Sequence, residues 1–145
     1  MNIVIDSNIL FSALIKNSLT RKIILDYDGV FLFPSFIFEE MEKHKEELLK
    51  KSEMKTKQFE ALLFIILQKV RIIPTDILHP YRKKAYEAMK NIDPDDTLFI
   101  ACALAFPQSI LWSDDKKLKQ QTLVHIINTQ EMNRLFLREK IPDNT

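Results

Sequence analysis

Hydrophobic residues along this chain form two kinds of segment. Short continuous runs of β-branched and aromatic residues, beginning with Ile3, Val4 and Ile5, are typical of strands buried on both faces. Five such runs are predicted strands: residues 2–6, 30–33, 70–74, 109–112 and 124–128. Between them the apolar residues recur every three or four positions, which indicates amphipathic helices. The predicted helices are residues 19–28, 35–50, 55–69, 77–90, 95–106 and 129–138, and another begins near Ile9.

The alternation of strands with helices predicts the fold class. Strands joined through helices form right-handed crossovers, so the sheet should be mostly parallel and covered on both faces. We therefore expect an α/β protein, a three-layer α/β/α sandwich around about five strands. No internal repeat or linker interrupts residues 1–145, which predicts a single domain. The one glycine, Gly29, cannot supply a glycine-rich phosphate loop.

Composition narrows the class of protein further. Lys and Arg number 21 against 20 Asp and Glu, so the net charge of +1 excludes a strongly basic coat. Any contact with nucleic acid must therefore come from local patches. The single cysteine, Cys102, cannot form an intrachain disulfide, which favours a reducing compartment. No apolar segment reaches the length of about 18 residues that a membrane span needs, so we expect a soluble, cytoplasmic protein without a membrane partner.

Acidic residues gather where the predicted topology places the carboxyl edge of the sheet. They come from four separate segments: Asp6; Glu39 and Glu40; Asp93, Asp95 and Asp96; Asp114 and Asp115. Each one alone has a structural interpretation as a helix cap or as a solvated charge near a helix start. Asp93 before Pro94 in particular is typical of an N-cap followed by proline at the first helical position.

As a set, these acids need a positive partner because like charges on one edge repel. A divalent cation is the natural candidate, and carboxylates without a His or Cys cluster suit Mg²⁺ or Mn²⁺ rather than zinc. The histidines His44, His79 and His125 are scattered along the chain, and we expect surface or loop positions for them.

Four motifs, in order, resemble the four-acid signature of PIN-domain ribonucleases, the family that includes VapC-like toxins. They are "VIDSN", "PSFIFEEM", "DPDDTLFIACAL" and "LWSDDKKL", and together they span nearly the whole chain. The resemblance implies that the catalytic and metal-binding acids are Asp6, Glu40, Asp96 and Asp115. These would bind one or two Mg²⁺ or Mn²⁺ ions, with Glu40 binding directly or through water, and the metal would activate a water molecule.

The same resemblance assigns supporting roles to two polar residues. Asn8 and Ser113 are expected to orient the carboxylates. The neighbouring acids Glu39 and Asp114 leave the register within each doublet open by one residue. No serine or threonine has a histidine placed to activate it, so a protein nucleophile is not expected.

The resemblance also implies an RNA substrate and hydrolysis of its phosphodiester bonds. It admits an antitoxin protein as a partner, and the apolar segment "FEALLFIIL" is either core or part of a homodimer interface. Lys-rich segments, with Tyr81, Tyr86 or Trp112 as stacking faces, could follow an RNA backbone, but ordinary solvated helices have the same pattern. Two alternatives remain: a PIN-fold RNA-binding or assembly module without catalysis, and a receiver-like phospho-signalling domain.

Overall fold

The computed structural model of the protein describes the backbone of residues 1–140 and the side chains of residues 1–138. The strands are β1 (Asn2–Ile5), β2 (Phe31–Pro34), β3 (Val70–Ile73), β4 (Ser109–Trp112) and β5 (His125–Ile127). The α-helices are α1 (Ser7–Ile15), α2 (Leu19–Asp26), α3 (Ile37–Ser52), α4 (Thr56–Leu67), α5 (Thr75–Met89), α6 (Thr97–Ala105) and α7 (Thr129–Lys140). Two 3₁₀ turns cover Pro94–Asp96 and Lys116–Gln120.

The five strands form one sheet in the order β3-β2-β1-β4-β5, and every neighbouring pair is parallel. The strand β1 lies at the centre, with Ile5 opposite Trp112 of β4. Because all strands run the same way, their carboxyl ends meet at one edge. The central strand therefore delivers the residue that follows it, Asp6, to the middle of that edge.

Helices cover both faces of the sheet, as the alternating pattern predicts. The helices α1 to α4 contact one another, and α7 joins them through α2. The helices α5 and α6 pack together, and α6 lies against β1, β2 and β4. The predicted three-layer sandwich with a parallel sheet of five strands is confirmed.

Helix α6 is apolar on every side, and it is therefore buried against the sheet. Phe99 to Ala103 are all buried, since the small side chains Ala101, Cys102 and Ala103 allow close approach to neighbouring elements. Cys102 is free and buried, and burial raises the pKa of its thiol to about 12. Within the described residues no helix is long and apolar enough to cross a membrane.

Several predicted element ends are wrong by one or two residues, for identifiable reasons. The first strand ends at Ile5 rather than at Asp6 because Asp6 caps α1. The second begins at Phe31, whose N–H donates to the carbonyl of Lys69 at 2.7 Å. The helix predicted at 95–106 begins at Thr97, since Pro94 starts a 3₁₀ turn instead.

Candidate active site

A cavity of about 820 Å³ opens at the carboxyl edge of the sheet. The start of α1, the inner face of α3, the 3₁₀ turn at Pro94–Asp96 and the loop after β4 all contribute to its lining. Five of the six site residues predicted from the sequence line this cavity: Asp6, Asn8, Glu40, Asp96 and Asp115. The sixth, Ser113, is buried and contacts Asp6. Four distant segments therefore meet where the topology predicts.

Asp6 is the most deeply buried acid of the site, at 4% exposure. One carboxylate oxygen accepts the backbone N–H of Ile9 at 2.9 Å and so caps α1, while the hydroxyl of Ser113 donates to the other. Burial raises the pKa of Asp6; the two hydrogen bonds oppose this shift, and nearby Asp114 and Asp115 add to it. Asp6 is thus both a helix cap and a group facing other acids.

Three carboxylates form a compact group beside Asp6. Asp93, Asp96 and Asp115 each offer an oxygen within 4.8 Å of the others. Burial, followed by the charges of Asp93, Asp6, Asp115 and Asp95, raises the pKa of Asp96 to about 7. Among the described residues, none of the three forms an ion pair with a basic side chain. We call Asp93, Asp96 and Asp115 the acidic cluster.

Local backbone structure aims the members of the acidic cluster at one another. The Asp93 side chain accepts the N–H of Asp95 at 3.1 Å and caps the 3₁₀ turn, while Asp96 makes no capping hydrogen bond. Asp115 accepts the N–H of Lys117 at 3.0 Å, and its own N–H donates to the Ser113 hydroxyl at 3.1 Å. Ser113 therefore connects Asp6 to Asp115.

The two acids of the Asp114–Asp115 doublet have different surroundings. Asp115 lines the cavity, whereas Asp114 is exposed and does not. Both carboxylate oxygens of Asp114 bind the first residue of α7, accepting the N–H and the hydroxyl of Thr129 at 2.7 Å each. Asp114 thus stabilises the start of α7, and Asp115 is the member of the doublet that faces the other acids.

The doublet on α3 is less sharply divided, because Glu39 and Glu40 both line the cavity. Glu40 is half-buried and Glu39 is exposed. The carboxylate of Glu40 lies 3.5 Å from Nε2 of His44, one helical turn later. Glu40 is outside the acidic cluster, so the structure brings it to the same cavity without placing it in contact with those three acids.

His44 belongs to the cavity, although the sequence suggests only a surface or loop position. Its imidazole lies between Glu40 and Glu47, at 3.5 Å from each, and packs against the ring of Phe11 at 5.3 Å between centroids. The spacing of four residues from Glu40 on a predicted helix is the signal that could have revealed this neighbour.

Asn8 lies at the cavity but does not orient a carboxylate in this structure. The side chain is exposed and makes no hydrogen bond with the described residues.

Asp93 has a larger role at the site than its sequence context predicts. Its predicted capping role is confirmed, but it also joins the acidic cluster, which the sequence analysis did not foresee. Asp93 is the N-cap of the 3₁₀ turn that ends at Asp96, so the two carboxylates come from one short segment.

Comparison with known proteins identifies the family. The family model described as "PIN domain" matches residues 4–136. The chain belongs to the PIN-domain family. Its fold is also similar to that of a chain in the crystal structure of VapBC2 from Rickettsia felis bound to a DNA fragment from their promoter. That match has a TM-score of 0.66 at 18% identity and covers 88% of this chain and 98% of the other.

No curated protein matches this chain. Because the structural match has low sequence identity, it supports the fold. The PIN-domain match removes the receiver-like alternative. PIN domains are generally nucleases that use divalent metals, and this chain has a cluster of three acids at the carboxyl edge of its sheet.

Proposed function

We propose that this protein is a metal-dependent endoribonuclease whose active site is the acidic cavity at the carboxyl edge of the sheet. One observation carries the proposal: oxygens of Asp93, Asp96 and Asp115 lie within 4.8 Å of one another, and no basic side chain of the described residues pairs with them. Such a group costs stability unless a ligand of positive charge occupies it. Membership of the PIN-domain family supports nuclease chemistry at this place.

The donor atoms fit a hard cation. All are carboxylate oxygens, Cys102 is buried within α6, and His44 pairs with Glu40 and Glu47 rather than with the acidic cluster. Oxygen donors without thiolate or imidazole favour Mg²⁺ or Mn²⁺. The pKa of about 7 for Asp96 is the value of the metal-free protein, so cation binding should release a proton from this carboxyl near neutral pH.

We assign metal binding and catalysis to Asp6, Glu40, Asp96 and Asp115, and we add Asp93 as a further ligand candidate because it belongs to the acidic cluster. A bound divalent cation lowers the pKa of water and offsets charge on a phosphate. Ser113 positions the site, because its hydroxyl donates to Asp6 and accepts the N–H of Asp115.

Hydrolysis of a labelled single-stranded RNA tests the proposal. Cleavage should require Mg²⁺ or Mn²⁺ and stop with chelator, and Asp6→Asn and Asp96→Asn should each lower the rate more than about 100-fold, since loss of a ligand should exceed the effect of an outer contact. Glu87→Gln removes the same charge from an exposed position on α5 and should cleave like the wild type. Full activity of Asp6→Asn, with contaminating nuclease excluded, would contradict the mechanism. Metal binding without cleavage would favour the non-catalytic module.

We further propose that the protein acts as the toxin of a toxin–antitoxin pair. The similarity to a chain of the VapBC2 complex supports an antitoxin partner. Expression in a bacterial host should arrest growth, whereas Asp96→Asn should not, and co-expression of the antitoxin from a neighbouring gene should relieve the arrest. Normal growth on expression of an active nuclease would contradict the toxin role while leaving the ribonuclease proposal intact.

One exposed apolar surface supports a protein partner, either an antitoxin or a second copy of the chain. Helix α4 buries Phe59 and Ile66 but leaves Phe64 and Ile65 exposed, at 66% and 51%. Part of the segment that the sequence interprets as core or interface is therefore buried in the core, and part is exposed and open to a partner. Phe64→Asp should weaken a dimer or an antitoxin complex and leave RNA cleavage by the free protein unchanged.

A further inference from the structure

A second groove, of about 610 Å³, lies between α5 and the start of α6. Its α5 wall consists of four exposed residues on one stripe of the helix: His79, Arg82, Lys83 and Tyr86. The spacings of three and four residues place these side chains on one face, which flanks the buried positions of α5. The groove is within the range of roughly 300–1,000 Å³ that is usual for small-ligand sites.

The positive charges of this groove are available to a ligand. Arg82 and Lys83 form no ion pair or hydrogen bond with the described residues. Glu87, the acid that influences Lys83, instead binds Lys90, at 2.8 Å. Asp95 is the acid that lines the groove, so the two adjacent cations still outnumber it, and in a protein with a net charge of only +1 this local excess favours an anionic ligand.

The other wall combines apolar Pro94 and Leu98 with polar Asp95 and Thr97, and its apolar part supplies a place for a flat ring. Pro94 and Leu98 line the groove opposite the α5 stripe, and the ring of Tyr86 is 48% exposed. An aromatic face beside cations is the arrangement that binds an unpaired base together with its phosphate. A duplex hides the faces of its bases, so this combination favours a single strand.

The groove adjoins the candidate active site. Asp95 and Leu98 line both the groove and the acidic cavity, and Asp93 and Asp96 lie within two residues of Asp95. Lys43 and Lys51 also line the acidic cavity, but its acids outnumber them, so the cavity by itself repels a polyanion. A cationic and aromatic groove directly beside it would hold the strand on one side of the cleaved phosphate.

We propose that this groove is a nucleotide subsite for single-stranded RNA, in which a base stacks on Tyr86 and its phosphate contacts Arg82 and Lys83. The position of the subsite next to the cleaved bond rests on the proposed ribonuclease function. The binding of RNA in the groove does not, because it requires no chemistry from the acidic cluster.

The test is RNA binding without cleavage. The affinity of Asp96→Asn for a labelled single-stranded RNA of mixed sequence is measured in chelator, where hydrolysis is not expected. Adding Tyr86→Ala should weaken binding about five-fold or more, since stacking of one base contributes about 1–3 kcal/mol. Tyr86→Phe should bind like the parent. Tyr81→Ala is the matched control, because Tyr81 is exposed on α5 but does not line the groove.

Salt dependence tests the phosphate contacts. Arg82→Ala and Lys83→Ala should each reduce the slope of log affinity against log salt by about 0.7, the value for one phosphate contact of a single strand. Lys84→Ala removes an exposed charge from α5 outside the groove and should change the slope less. Circular dichroism would verify that every variant is folded.

The outcomes separate this proposal from the ribonuclease proposal. Equal effects of Tyr86→Ala and Tyr81→Ala, equal affinity for duplex RNA, or no RNA binding would overturn the subsite. Preference for an acidic peptide over RNA would also overturn it. If the wild type cleaves RNA and Tyr86→Ala cleaves it equally well, the ribonuclease proposal stands and the subsite is overturned. If RNA binding depends on Tyr86 but the wild type cleaves no RNA, the subsite stands and the ribonuclease proposal is overturned.

Discussion

The carboxylates of this protein occupy two contrasting environments, the acidic cavity and the outer faces of the helices. In the cavity, burial and neighbouring acids raise the pKa of Asp6 and of Asp96. On the outer faces, hydrogen bonds from lysines lower the pKa of Glu87 and Glu131. The same chemical group is therefore destabilised as an anion in one region and stabilised as an anion in the other.

The difference between the two regions is the presence of a partner. Glu87 lies 2.8 Å from the ammonium group of Lys90, three residues later at the end of α5, whereas the acidic cluster forms no such pair within the described residues. An arrangement that leaves anions facing one another is unfavourable for the fold alone. It is the kind of local cost that a functional site carries.

The largest effect should come from the doublet after β4, which divides between the two environments. Asp115→Asn should lower RNA cleavage more than about 100-fold, since it removes a proposed metal ligand. Asp114→Asn should keep most of the activity. Asp114→Ala should cost about 1 kcal/mol of folding stability, because it removes the acceptor for the start of α7. Cleavage assays and urea denaturation would give both values, and the reverse ranking would overturn the site assignment.

A smaller loss of activity should separate Glu40 from Glu39. Glu40→Gln should lower cleavage about 10-fold or more, as expected for a group that acts directly or through water, and Glu39→Gln should have less effect. The two side chains point about 100° apart around α3, so they cannot hold the same position. Equal losses in steady-state cleavage would show that the half-buried position of Glu40 does not matter.

Added cation should stabilise the protein through the acids of the cavity and not through the acids on the outer helix faces. At about ten times its dissociation constant, Mg²⁺ or Mn²⁺ should stabilise the wild type by about 1.4 kcal/mol through mass action. Asp96→Ala should gain clearly less, and Glu87→Gln, which removes a charge outside the cavity, should gain as much as the wild type. Thermal melts with cation and with chelator would measure these differences. Melting that does not depend on cation would contradict a shared metal site.

The dependence of stability on pH should have opposite signs in the two regions. The folded pKa of Asp96, about 7, lies above its ordinary value of 3.8. Between these two pH values the native state therefore binds more protons than the unfolded state. In chelator, the stability that protonated Asp96 contributes should therefore be lost as pH rises from its ordinary pKa of 3.8 through its folded pKa of about 7. Acids with lowered pKa contribute stability above their ordinary pKa and lose it as pH falls.

Denaturation of wild type and Asp96→Asn from about pH 5 to pH 8 isolates the cavity contribution. The stability of the variant relative to the wild type should increase with pH, because the neutral side chain removes the repulsion. A constant difference across this range would show that the pKa of Asp96 is not raised in the folded protein.

The smallest effect should come from Asp93, which combines a cap with membership of the acidic cluster. Asp93→Asn keeps an oxygen for the N–H of Asp95 but removes a charge, so it should weaken cation binding several-fold with little change in stability. Asp93→Ala should cost about 1 kcal/mol in addition. Titration calorimetry with Mn²⁺ would measure the affinity. Wild-type affinity in Asp93→Asn would restore the interpretation of Asp93 as a cap alone.

Sequence periodicity was sufficient to predict the order of strands and helices along the chain and the sheet edge at which the acids gather. Runs such as Ile3 to Ile5 report burial on both faces, and apolar spacings of three and four report one helical face, because these patterns depend on local geometry. The capping role of Asp93 was equally local, since it depends on Pro94 and on the next few N–H groups.

Only the tertiary structure decided which acids meet. Asp114 turns to Thr129, fifteen residues away, while Asp115 shares Ser113 with Asp6 from the opposite end of the chain. Those choices depend on where β1, β4 and α7 lie relative to one another, and residue spacing within one segment contains no information about that packing. The sequence by itself therefore determined the fold class and the acidic edge, and long-range packing decided which acids from separate segments meet in the acidic cluster.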